Sequence, residues 1–367
     1  MRGRILVALL MVMLLAPAPG ANVSFYPAQF SQAFMFEIAK GNVPGHSLLD
    51  KFGGNPSIDI LDGFVTVWSG DFLPGGTQTY VPPTTARVHD LTSSSAADEG
   101  TEVTSGTATG GSLNTIEDSG GFAGSPVATD MIFNDTQMLI GEIISVAPNV
   151  ITTNGWFNPS NGDDTVYTVS GDSYRIVRAA STGAAAVHVS GSNLFRQATE
   201  EFVILNGLGD RPTVNEYVRM NRSRVFGSGT GPGNAGHLTF TAQVDNTVSL
   251  GIVEGANQTL HTVFSIPVDQ TLYLYSYRAA LSKKTPGSAV IVLRVGTLNT
   301  PTGVNNIGYT TDTMALVISG TSAASVSLPF IRLPGGLDVW VEASVDSNDV
   351  GVAAGFQGVL VHDSVGG

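Results

Sequence analysis

An all-β architecture is predicted by three features of the sequence. Short apolar runs recur about every ten residues, they are enriched in β-branched residues, and Gly, Asn, Asp or Pro bounds them. Helical periodicity is almost absent after residue 45. Together these describe a sandwich or barrel of short strands, and the length of 367 residues sets a soft prior of roughly two domains.

Taken in order, the chain begins with MRGRILVALLMVMLLAPAPGA (1–21), in which Arg2 and Arg4 flank an apolar run from Ile5 to Leu15. Basic start, short apolar core and small residues after it match a secretory signal. The run is too short to cross a bilayer as a helix, which takes about 20 apolar residues. The competing reading is an apolar arm that packs on a neighbouring subunit. Ser31–Lys40 then predicts one short helix, with Phe34 and Ile38 four apart and Ser31 as its N-cap.

Strands are expected at Phe64–Trp68, Val150–Thr153, Thr165–Val169, Ala184–Val189, Glu201–Leu205, His237–Val244 and Leu260–Ile266. The series continues with Leu272–Arg278, Ala289–Val295, Met314–Ser319, Ser325–Leu333, Asp338–Ser344 and Gly355–Val361. Within Leu272–Arg278, alternation places Tyr273, Tyr275 and Tyr277 on one face. Ordinary cross-strand packing explains such a stripe first, and a sugar-stacking platform second. Ser93–Gly124 is almost without large apolar residues and reads as a loop or linker. Gly227–Gly236 (GSGTGPGNAG) reads as a second flexible stretch between strands.

Composition narrows the function classes. The absence of cysteine excludes disulfide frameworks, thiolate zinc sites and cysteine nucleophiles. Lys and Arg total 17 against 30 Asp and Glu, a net charge of −13, and there is no basic run. Such a chain has no electrostatic footprint for a phosphate backbone, so nucleic acid is not an expected partner. Only 13% of residues are charged. A polar but largely neutral surface suits wide protein contacts, where charge would have to be desolvated.

Motifs that carry chemistry are missing. GSGTGPGNAG lacks the G-x-G-x-x-G spacing and is followed by HLTFTA, a strand pattern, where a phosphate loop needs a helix. G-x-S-x-G and H-E-x-x-H are both absent, and the six histidines are scattered singly. Asp163-Asp164, and the group Asp346, Asn348 and Asp349, read as turn residues rather than calcium ligands. The sequons at Asn22, Asn134, Asn221 and Asn257 carry no assigned function. Arg219, Arg222 and Arg224 form the one local concentration of positive charge, with Arg222 and Arg224 on one face of a strand and Arg219 on the other. A solvated strand end is the main reading, and a contact with acidic groups or phosphate the alternative. With no nucleophile, base and orienter to assemble, the expectation is a non-enzyme with no cofactor and no metal.

Several blocks resemble a family of β-rich virion structural proteins of tailed bacteriophages. The first is IAKGNVPGHSLLDKFGGNPSIDILDGFVTVWSGD (38–71), in which Lys51-Phe-Gly-Gly-Asn55-Pro56 and Ile58-Asp59 match the family pattern. Trp68 departs from it, preceding Ser-Gly-Asp rather than a glycine run. The others are SSSAADEGTE (93–102), EEFVILNGL (200–208), the stretch 216–242, the stretch 254–284 and GFQGVLVHD (355–363). Residues 118–180 are similar to the small β-barrel inserts of phage structural proteins, supported by Ile140, Ile143, Ile144, Val150, Ile151, Tyr174 and Ile176.

The resemblance implies β-sandwich or jelly-roll-like domains with an inserted small β-barrel and a short N-terminal helical arm. Its divisions are an apolar arm or signal-like segment (1–30), an N-terminal β region (31–117), the insert (118–180) and a C-terminal sandwich (181–367). It implies a capsid decoration or head-fibre protein on the virion exterior. The expected partners are the major capsid protein or other virion proteins, in a homo-oligomer with the trimer favoured. A secreted glycan-binding module, or a tail-fibre component that recognises a host-surface glycan, is the alternative. Assembly in a reducing cytoplasm fits the missing cysteines and weighs against export of the first segment.

Overall fold

A computed structural model describes residues 32–70, 73, 80–160, 166–179, 182–282, 288–297, 311–319 and 323–364. The segment 1–21, the N-cap Ser31, the sequon at Asn22 and Asp163-Asp164 lie outside the described residues. Strand makes up 56% of the structure and helix 3%, so the chain is all-β with several antiparallel sheets.

Helix α1 (Gln32–Ala39) comes first. Strands β1 (His46–Ile58), β2 (Val65–Thr66) and β3 (His89–Ser93) follow. Next come β4 (Gly100–Thr107), β5 (Gly110–Ser112), β6 (Thr115–Glu117), β7 (Met131–Asn134), β8 (Leu139–Ala147), β9 (Val150–Thr153) and β10 (Ser173–Ala179). The middle of the chain gives β11 (Ala184–Ser192), β12 (Ala198–Ile204), β13 (Arg211–Pro212), β14 (Arg219–Ser228), β15 (Leu238–Ala242), β16 (Val248–Ile252) and β17 (Phe264–Ser265). The remainder forms β18 (Gln270–Ser282), β19 (Ser288–Gly296), β20 (Thr311–Ser319), β21 (Ala323–Leu333), β22 (Asp338–Val345) and β23 (Val350–His362).

The strands β4-β10-β7-β8-β9-β6-β5 form one seven-stranded sheet that encloses its own core of Ile116, Ile132, Ile143, Ile151, Trp156, Tyr174 and Ile176. The opposite face of this sheet, through Phe133, Ile140 and Val177, packs on Ala185, Ala186, Phe202 and Ile204 of β11 and β12. Sheet β12-β11-β14 in turn shares a core with β13-β3-β15-β16, centred on Val187, Val189, Phe240 and Leu250. The largest core lies between β1-β23-β18-β21 and β17-β22-β19-β20, where Leu272, Leu274, Phe356, Ile291 and Val341 meet.

The sheets stand in a propeller-like, four-blade arrangement, which corrects the jelly-roll expectation. Alternation fixes where strands run and which face is apolar, but not which edges pair. Here the pairs are far apart in sequence: β1 lies on β23 and β3 between β13 and β15. The reading of Ser93–Gly124 as a loop is corrected as well, since it contains β4, β5 and β6. β4 is partly exposed on both faces, so it needs few apolar side chains and is built from Thr, Ser and Glu. Conversely, no strand forms within the described residues 166–169 of the expected Thr165–Val169.

Strand β1 also escaped the sequence reading, because Gly53-Gly54-Asn55-Pro56 interrupts any alternation. The glycine at 53 is steric. A Cβ there would stand 2.6 Å from the Val67 carbonyl oxygen and 2.8 Å from the Thr262 methyl. The backbones of β1 and the 67 and 262 segments approach so closely that no side chain fits.

Candidate functional site

A buried polar network forms where β14, β17 and β22 meet the β11–β12 hairpin. The Asp338 carboxylate accepts from Arg196 Nη1 at 2.7 Å and Arg219 Nε at 3.2 Å. Arg219 also donates to the carbonyls of Val218 and Pro83, and Arg196 to the Ser265 hydroxyl. Asn221 adds a reciprocal pair with the Ser265 backbone, at 2.8 and 3.1 Å. Arg219 and Asp338 have no side-chain exposure, so the pair bridges sheets in the dry interior. This corrects the solvated-strand-end reading for Arg219.

Beside this network a cleft of about 700 Å³ opens between the first half of β1 and the sheet of β11, β12 and β14. Lys51, Arg222, Glu200 and Asp50 line it, with Ser47, Ser160, Ser190, Thr199 and Gln270 among the hydroxyl and amide groups around them. Lys51 is 3% exposed, and its ammonium donates to the Asn221 carbonyl. Burial, with the nearby Arg222 charge, holds its pKa well below the ordinary lysine range. Arg222 lies over the Phe52 ring, 5.8 Å from its centroid, and donates to the Asp50 carbonyl at 2.9 Å. Burial and the neighbouring Arg224 lower its pKa to about 10. Arg224 donates to the Pro159 carbonyl at 3.2 Å. Arg222 and Arg224 therefore share a face, as alternation predicts, and both are partly covered.

The acids of the cleft have other partners. Asp50 pairs with Arg278 at 2.7 Å, and Glu200 accepts from His188 at 3.0 Å and from the Ser160 hydroxyl. Burial pushes the Glu200 carboxyl up, but the bonds and charge of His188, with Ser160, outweigh it and hold it below its ordinary value. The order Ser–Glu–His is not that of an activated nucleophile. The hydroxyl meets the carboxylate, and the imidazole stands on the carboxylate's far side. Among the described residues, no three of His, Asp and Glu come together to hold a metal ion.

The tyrosine stripe divides. Register shifts between Leu274 and Ser276 against both neighbours: opposite Gly358 and Gln357 of β23, Tyr275 is the extra residue of a β-bulge, whereas on the other side the longer stretch lies in β21, between Ile331 and Ser327. Beyond it every side chain changes face: Tyr277 points into the main core while Tyr273 and Tyr275 pack beneath Phe34, Met35 and Ile38 of α1. The one-face platform of three tyrosines is thus not formed. Nothing in a Leu-Tyr-Leu-Tyr-Ser-Tyr string marks the inserted residue.

Single-residue placement resolves other motifs. Asn134 is buried and accepts from the Thr136 and Gln137 amides while donating to Thr168 and Asp172. Asn257 braces Pro232 and Asn234, and Asn221 holds Ser265, so these three sequon amides are structural. Asp346 caps the Ser288 amide, and Asn348 and Asp349 bind Ile60 and Asp59, which makes 346–349 a turn clamped to the β1–β2 connection. What the sequence reading missed was Lys51 as a buried cation, whose sole signal was an isolated lysine inside a poorly alternating strand.

The site and fold define an all-β protein of several antiparallel sheets, with a cleft between two of them that is lined by both cations and acids. No protein-family model matches the chain, and no curated protein is similar to it.

Proposed function

We propose that the chain is a non-enzymatic structural protein of a tailed-phage particle, carried on the outside of the head shell. The blocks that resemble phage virion proteins support this reading, and so does one structural observation. The β11–β12 hairpin presents Leu194 and Phe195 to solvent, Phe195 at 74% exposure, next to the exposed Val268. The turn is rigid: Asn193 Oδ1 accepts from the Phe195 and Gln197 amides, and the Val268 amide donates to the Arg196 carbonyl. Arg196 is itself anchored on Asp338. A fixed apolar tip on a weakly charged surface is what a neighbouring protein covers. In this reading the partners are the major capsid protein and further copies of the chain, the trimer being the favoured closed assembly. A net charge of −13 keeps it from the packaged genome.

Quantitative mass spectrometry and cryo-electron microscopy of purified particles test the reading. Copies on the shell exterior in numbers near the capsomer count are expected, and Phe195→Asp should abolish their incorporation. A dozen copies or fewer would move the protein to the portal, tail or a vertex. A chain beginning near Ala21 or Asn22 in the medium, with none in particles, would sink it in favour of a secreted module.

A further inference from the structure

Among the described residues, no salt bridge reaches the cations of the cleft. Lys51 and Arg222 line it, and Arg224 stands directly behind, yet all three donate to backbone carbonyls and none reaches a carboxylate. The two acids of the lining pair elsewhere, Asp50 with Arg278 and Glu200 with His188 and Ser160. An ammonium has three donors and a guanidinium five, so Lys51 and Arg222 each retain N–H groups beyond the one carbonyl they serve. Like charges crowded together out of water are costly unless something compensates them. Arg222, moreover, stands over the Phe52 ring, 5.8 Å from its centroid, and its guanidinium fork suits a planar anion.

We infer that this cleft binds a carboxylated saccharide of one or two units, its carboxylate lying between Lys51 and Arg222. The class follows from the rest of the lining. Ser47, Ser190, Thr199 and Gln270 offer hydroxyl and amide groups to sugar hydroxyls, and the Glu200 carboxylate is a fixed acceptor for one of them. The volume of about 700 Å³ lies in the range of small-ligand clefts. A polyphosphate is disfavoured, since Glu200 and Asp50 on the same walls and the −13 net charge oppose multiple negative charges. The inference stands apart from the particle reading, which concerns the hairpin tip rather than the cleft.

Calorimetric titration of the full chain at low ionic strength tests it, with a galacturonic acid disaccharide as probe. Galactobiose serves as the neutral control, and acetate and inorganic phosphate as anion controls. Saturable one-site binding of the acidic disaccharide alone is expected. Arg222→Gln should weaken it roughly tenfold or more, with an unchanged melting temperature. Lys51→Met, which exchanges a buried cation for an apolar side chain of similar length, should do the same. No binding of the acidic disaccharide to the unaltered protein would overturn the inference, as would undiminished binding by folded Arg222→Gln. Acetate or phosphate binding as tightly as the disaccharide would overturn the saccharide class.

Discussion

His89 shows how a single buried side chain ties stability to pH. Its Nδ1 faces the Arg87 carbonyl at 2.9 Å and its Nε2 the Ser249 hydroxyl at 2.8 Å. The first contact requires a proton on Nδ1, and the second is best served by a neutral Nε2 that accepts. Burial, only partly offset by the Arg87 carbonyl, lowers the pKa from 6.5 to about 4. The unfolded chain therefore binds more protons between these values. Stability is complete above pH 6.5 and is lost as pH falls toward 4, by roughly 3 kcal/mol for this group. His261, buried beside Lys51 with both ring nitrogens unpartnered among the described residues, adds to the loss in the same direction. Urea denaturation across pH 4–6.5 checks this: in His89→Gln the pH-dependent loss should shrink by about the His89 share. An unchanged slope would show that the imidazole titrates normally in the fold.

At the scale of elements, the bulge in β18 governs what the strand exposes. One extra residue turns Tyr277 inward, where its hydroxyl is buried with no hydrogen-bond partner among the described residues. Burial raises the pKa of that phenol, so it stays neutral. Removing the stranded hydroxyl should therefore help: Tyr277→Phe is expected to raise stability by about 1 kcal/mol, read from the denaturation midpoint. A loss of stability would mean that the hydroxyl has a partner. This element also marks where sequence reading stops. Val150–Thr153 is read from its sequence and forms β9 over the same residues, because alternation and turn residues agree. The helix expected at Ser31–Lys40 forms over Gln32–Ala39 for a like reason. Strand β4 stayed hidden because a strand open on both sides needs no apolar face. The site was less legible still. Arg219 looks like one of three surface arginines until Asp338, 119 positions away, comes to meet it. Lys51 becomes a buried cation only when β14 is laid across β1.

At the scale of the whole molecule, β23 is the keystone of the largest core. It lies between β1 and β18 and supplies Val350, Val352, Ala354 and Phe356 to the interior. Its other face, through Val359 and Val361, receives α1. A chain ending at residue 349 would leave β1 without a partner strand, β18 paired only on its β21 side, and much of the opposing sheet uncovered. It is expected to give no cooperative unfolding transition and to bind hydrophobic dye. Removal of α1 alone, by contrast, should leave the transition in place, since only the outer face of that sheet is uncovered.

The pairing of β1 with β23 has a temporal meaning too. His46 lies opposite Val361, a separation of 361 − 46 = 315 residues. At a translation rate of about 5–20 residues per second, roughly a quarter of a minute to a minute passes before the first strand's partner exists. Through that interval β1 is an open template, with Leu48 and Leu49 beside an unsatisfied row of backbone amides. The interrupting Gly53-Gly54-Asn55-Pro56, which hid the strand from sequence reading, also lowers its tendency to pair with the wrong chain. The same stretch, whose Gly53 lets two backbones touch in the finished molecule, thus acts as a safeguard while it is being made.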